Sequence, residues 1–150
     1  MLKQKIQDDL KAAMLARDEA KLSAIRMLKS ALQYFEIQKG GAGYEATDED
    51  VIEVVGKEIK KRRESIELYK QGGRTDSAES EQKEVDVLES YLPEQMGEEE
   101  VRALVHQAVE QTGAKSIQEM GKVMGALMPK VKGKADGTLV STLVKEELSK

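Results

Sequence analysis

The chain has no cysteine, no tryptophan and a single phenylalanine, with two prolines and one histidine among its 150 residues. Without cysteine, neither a disulfide framework nor a thiolate metal site can be built. No apolar run reaches the roughly 20 residues needed to span a bilayer, so no membrane is expected. The opening MLKQKIQDDL lacks a signal-peptide core, and a cytoplasmic protein is the default expectation. Aromatic residues are 3% of the chain while hydrophobic residues are 39%. The core must therefore come from Leu, Ile, Val, Ala and Met, which suits helix packed on helix.

Catalytic chemistry is equally scarce. An enzyme needs a nucleophile with a base, paired carboxylates in a cleft, or a metal. His106 is the only histidine, and its neighbours Val105 and Gln107 supply no ligand set, so it reads as a partly exposed helix residue. The acidic runs Thr47 to Asp50, Glu79 to Glu84 and Glu98 to Glu100 are explained by helix starts and solvated faces. The phosphate loop Gly-x-x-x-x-Gly-Lys-Ser/Thr is absent. No catalytic residue, metal site or cofactor is assigned.

Charged residues are plentiful, at 35%, yet the signs nearly cancel to a net charge of −4. Up to Pro93 there are 16 basic and 19 acidic residues, a charge of −3; after it 8 and 9 leave −1. A general polyanion binder would be basic in one half or the other. Any nucleic-acid contact must therefore be local, on a lysine-bearing edge.

Apolar spacing is helical throughout. Leu2, Ile6, Leu10, Ala13 and Met14 mark a first helix stopping at Ala16 to Asp18, and Leu22, Ile25, Leu28, Leu32 and Phe35 a second, longer one. Gly40 to Gly43 end it and make a loop expected to be exposed and the least constrained segment of the chain. Thr47 is placed as the N-cap of a long third helix, with Val51, Ile52, Val55, Ile59, Ile66 and Tyr69 inward and Lys57, Lys60, Lys61, Arg62 and Arg63 on the solvated arc. Asp76 is expected to cap a fourth helix carrying Val85, Leu88, Tyr91 and Leu92, which Pro93 ends. A fifth begins after Gly97, with Val101, Leu104, Val105, Ala108 and Val109 inward, and stops at Gly113. Ser116 and Glu119 have capping-box spacing for a sixth, with Ile117, Met120, Val123, Met124 and Leu127 inward. Asp136 starts the last, burying Leu139, Val140, Leu143, Val144 and Leu148. The expected fold is all-α, about seven helices in two small packed bundles, residues 1–93 and 94–150.

The most informative stretch is Met120 to Gly137, MGKVMGALMPKVKGKADG. Gly121 and Gly125, four apart, share a helix face and open a groove for close approach by another helix or a phosphate backbone. Pro129 is expected to stop the helix. Lys122, Lys130, Lys132 and Lys134 then carry four positive charges with no acidic residue between the first and the last, and Gly133 bends the connector.

This run, with Tyr91-Leu92-Pro93-Glu94-Gln95 and the early Arg17-Asp18 and Ile25-Arg26-Met27-Leu28-Lys29-Ser30-Ala31, resembles the YqeY family over essentially the whole chain. The part after Pro93 is also similar to the tail domain of the B subunit of the glutamine-dependent aspartyl/glutamyl-tRNA amidotransferase. In that enzyme the catalytic centres belong to other subunits or domains, and the tail engages tRNA. The resemblance therefore implies tRNA contact, through Lys122, Lys130, Lys132 and Lys134, or docking on a tRNA-handling protein complex; an amidotransferase role is implied only through the family. The competing expectation is a protein-interaction module that receives a partner helix on the Gly121/Gly125 face, with no RNA. A free-standing amide-transferring enzyme would need a catalytic centre that the sequence does not offer.

Overall fold

The computed structural model describes residues 1–150 as seven α-helices and one 3₁₀ turn, with no strand. The helices are α1 (Leu2–Ala16), α2 (Glu19–Gly40), α3 (Asp48–Gln71), α4 (Thr75–Glu89), α5 (Glu98–Thr112), α6 (Met120–Val131) and α7 (Gly137–Leu148). The chain divides into two compact units, Met1–Leu92 and Pro93–Lys150.

In the first unit α2 packs against α1, α3 and α4. Its core holds Ile6, Ile25, Leu28, Val51, Val55, Val85 and Leu88, all essentially free of solvent. Local codes set most of the helix ends. The Asp18 carboxylate accepts from Lys21 N to start α2, and Thr47 and Asp50 form a reciprocal capping box on α3. Arg17, in the left-handed region at φ 54°, turns the chain out of α1. The unit closes on Tyr91, whose ring is buried and whose hydroxyl donates to Asp9 Oδ2 at 2.6 Å.

Several expectations need correction here. The loop after α2 is tied down rather than loose: Glu36 Oε2 accepts from Ala46 N at 2.6 Å and from Lys3 Nζ at 2.7 Å. Asp50, inside α3, accepts from Lys39 Nζ at 2.7 Å and from the Tyr44 hydroxyl. These donors, Lys39 foremost, hold the Asp50 carboxyl well below the usual carboxylate range. Tyr44 is consequently half-buried in a loop otherwise exposed. Arg62 is buried instead of solvated, because Glu58 one turn earlier is buried beside it and neutralises it at 2.9 Å. Leu22 is only half-buried and Met14 is exposed. Asp76 lies in the first turn of α4, whose N-cap is Arg74 with no side-chain cap.

The second unit packs α5 against α6 and α7 around Val101, Val105, Val123, Leu127, Val131, Val140 and Val144. Gly97 is the N-cap of α5 without a side-chain bond, and Gly113, at φ 70°, ends it. Ser116 does not close a capping box. Glu119 turns back to accept from Lys115 N instead, the chain makes a 3₁₀ turn over Ile117–Glu119, and Ile117 is left 50% exposed. Asp136 caps α7 by accepting from Thr138 N at 3.1 Å.

Candidate nucleic-acid interface

Pro129 sits inside α6, contrary to the expectation that it would end the helix. A proline costs the helix one hydrogen bond, here the one residue 129 would give to the Gly125 carbonyl. The helix continues because Val131, two residues on, is 1% exposed and seated in the core of its unit. Burial of an aliphatic side chain is worth about 1.5–3 kcal/mol, which offsets much of the roughly 3 kcal/mol a proline costs inside a helix.

The chain then leaves α6 through a turn with fixed backbone. Lys132 is the C-cap and Gly133 takes the left-handed conformation, φ 76°. The amides of Lys134 and Ala135 both donate to the Val131 carbonyl, at 2.9 and 3.1 Å. Two carbonyls of the turn are held from the segment preceding α5: Gln95 Nε2 donates to Gly133 O at 2.8 Å, and Met96 N donates to Lys134 O at 2.8 Å. With Val131 anchored and these carbonyls occupied, the lysine side chains are directed away from the core. Gln95 and Met96 were not expected to serve the turn; the only signal in the sequence was that Gln95 lies within a stretch of family resemblance.

Lys122, Lys130, Lys132 and Lys134 are all exposed. None of them forms an ion pair. The cations of α3 behave differently: Lys57 pairs with Glu53, Lys61 and Arg62 with Glu58, and Arg63 with Glu89 at 2.6 Å. Of that cluster only Lys60 has no acidic partner. Four cations without acidic partners thus lie along α6 and the turn that follows it, whereas most of the α3 cluster is paired.

Gly121 and Gly125 are exposed on α6, and a Cβ built on either would meet nothing within 4 Å. No other helix of this chain packs on them. The groove faces open space.

Two other polar clusters define what else the surface offers. A cleft of about 490 Å³ in the first unit is lined by Glu19, Asp76, Glu79 and Glu84 with one cation, Lys83, so its field repels phosphate. His106, on α5, bridges Glu110 at 3.1 Å and Glu147 of α7 at 3.0 Å. The bond to Glu147 and the charge of Glu110 raise its pKa above the ordinary 6.5. It acts as a clip between α5 and α7.

These features first define a class, a small all-α protein of two helical units. The chain belongs to the Yqey-like protein family, whose model matches residues 3–148. It is 33% identical over 147 residues to "Altered inheritance of mitochondria protein 41, mitochondrial" of Pyrenophora tritici-repentis, covering 95% of this chain and 78% of that relative. The protein of the same name from Saccharomyces cerevisiae (strain ATCC 204508 / S288c) is 34% identical over 87 residues, 58% of this chain and 46% of the relative. That from Clavispora lusitaniae is 36% identical over 101 residues, 65% and 57% of the two chains. The chain thus spans about half the length of these yeast relatives. Their names correct the expectation of a cytoplasmic protein: the relatives are named as mitochondrial. The expectation rested on the want of a signal-peptide core and a membrane span, neither of which distinguishes one aqueous compartment from another.

Proposed function

We propose that this chain is a non-catalytic helical module that binds tRNA, or docks on a tRNA-handling complex, through the turn between α6 and α7. The observation that supports the reading is a set of four exposed lysines without ion pairs: Lys132 and Lys134 on a turn whose backbone is pinned, with Lys130 in the last turn of α6 and Lys122 in its first. Ammonium groups on flexible stems meet phosphates without demanding one fixed geometry. The open groove at Gly121 and Gly125 lets a sugar-phosphate backbone come close to α6. The ligand class itself comes from the likeness to the amidotransferase tail. Carbon-nitrogen ligase chemistry with glutamine as amido donor is not part of the proposal.

A second reading is favoured by one feature, the vacant glycine face, which would also accept a partner helix without RNA. Lysine acetylation footprinting with and without total tRNA separates the two. Protection of Lys122, Lys130, Lys132 and Lys134, with Lys57 and Lys60 still reactive, supports tRNA contact; uniform reactivity at saturating tRNA sinks it.

A further inference from the structure

The first unit contains one buried cation whose donors are incompletely used. Arg62 of α3 is 5% exposed. Its Nη1 donates to Glu58 Oε2 at 2.9 Å and to the Glu58 carbonyl at 3.2 Å. Its Nε has no acceptor at all. Its Nη2 points at Met27 Sδ of α2, 3.5 Å away. A thioether is a weak acceptor, and a guanidinium has five N–H donors in a rigid fork. The carboxylates of α4 do not complete the set: Glu84 is engaged by Ser23 Oγ at 3.2 Å, and Glu81 feels the charge of Arg62 without a hydrogen bond to it. Met27 nevertheless remains 54% exposed as a residue.

We propose that Met27 is an oxidation site for peroxides and that its sulfoxide oxygen replaces the weak sulfur acceptor of Arg62 Nη2 with a strong one. The thioether sulfur attacks one oxygen of hydrogen peroxide, the O–O bond breaks and an S–O bond forms. The second oxygen leaves as water once protonated. Sulfur gives up two electrons, the peroxide takes them, and Arg62 keeps all its protons. A polar sulfoxide ordinarily disrupts the packing around a methionine. At this position it exchanges a weak sulfur acceptor for an oxygen facing a charged donor, which makes a strong hydrogen bond. Oxidation therefore tightens the joint between α2 and α3. Because methionine sulfoxide is enzymatically reducible, the joint is reversible and peroxide-responsive. Met14 is the built-in comparison: it is 53% exposed, about equal to Met27, but its sulfur accepts no hydrogen bond.

The test uses the full chain carrying Met14→Leu, treated with hydrogen peroxide, with oxidation mapped by peptide mass spectrometry. Complete Met27 oxidation is expected to raise the thermal midpoint of the first unit by about 4 °C or more and to slow amide exchange in the middle of α2. Adding Met27→Leu should abolish the rise, and adding Arg62→Met should turn it into a fall. Should Arg62→Met not fold, the guanidinium Nη–H resonance of Arg62 is followed by NMR in the parent; a downfield shift with slowed exchange on oxidation is the expected result. The proposal is overturned if Met27 resists oxidation while Met14 of the unsubstituted chain oxidises. It is equally overturned if oxidation lowers the midpoint with Arg62 in place, or leaves the Arg62 resonance unmoved.

Discussion

Replacing Gly121 and Gly125 by alanine should stabilise the second unit and weaken whatever binds there. Both glycines lie within α6, neither has positive φ, and neither Cβ would touch another atom of the chain. No steric penalty therefore offsets the gain in helix propensity, about 1 kcal/mol for Gly125 in the helix interior and less for Gly121, the second residue of α6. Together the two substitutions are worth about 1–2 kcal/mol. In a unit as small as Pro93–Lys150, that corresponds to a rise of roughly 4–16 °C in the midpoint. Differential scanning calorimetry of the parent and the Gly121→Ala/Gly125→Ala chain reads it directly. An unchanged or lowered midpoint would refute the reasoning, because it would mean that the glycines serve the packing of the unit itself.

Three further outcomes are expected. His106 has a raised pKa in the folded state, so the stability from its bridge to Glu147 and Glu110 is fully present below 6.5 and is lost as pH rises through the elevated value; on the acid side it fades as Glu147, lowered from its usual 4.5, becomes protonated. Urea titrations of the parent at a series of pH values should show that decline above 6.5, and His106→Gln should remove it. Tyr44→Phe should lower the melting midpoint of the first unit, since it takes one of the donors from the Asp50 carboxylate; an unchanged midpoint would mean that water replaces the hydroxyl without loss. Leu28→Ala, at a position with no solvent exposure, should cost about 2–5 kcal/mol in denaturant unfolding, and a cost under 1 kcal/mol would place Leu28 outside the core.

Features written within a few residues of each other were legible in the sequence. Thr47 as a cap, Gly113 as a stop and Asp136 as a start each depend on a short-range geometry that the residue type itself favours. Helical periodicity likewise identified most of the inward faces. What escaped depends on partners distant in the chain or on burial overriding local preference. Arg62 looks like its neighbours Lys61 and Arg63 until α2 and Glu58 enclose it. The glycine-rich loop reads as free because its ties run to Glu36, Lys39 and Asp50. Pro129 is a breaker by its local chemistry, but the burial of Val131 lies on the tertiary level. At the candidate site the lysines and the absence of acid between them were visible, while the pinning of the turn was not, since Gln95 and Met96 reach it from almost 40 positions away.

The central claim is that the turn after α6, and not the basic arc of α3, contacts RNA. Fluorescence anisotropy with labelled tRNA across a potassium chloride series addresses it most directly. For four phosphate contacts, log Kd should change with log salt by roughly 3–4 units, so affinity should fall about a hundredfold between 50 and 200 mM salt. Lys122, Lys130, Lys132 and Lys134 changed together to Ala should flatten that slope nearly to zero, while Lys57, Lys60, Lys61 and Arg63 changed together to Ala should leave it within about one unit of the parent. Binding that survives the first set and is abolished by the second would contradict the account, as would no binding of tRNA by the parent chain at 50 mM salt.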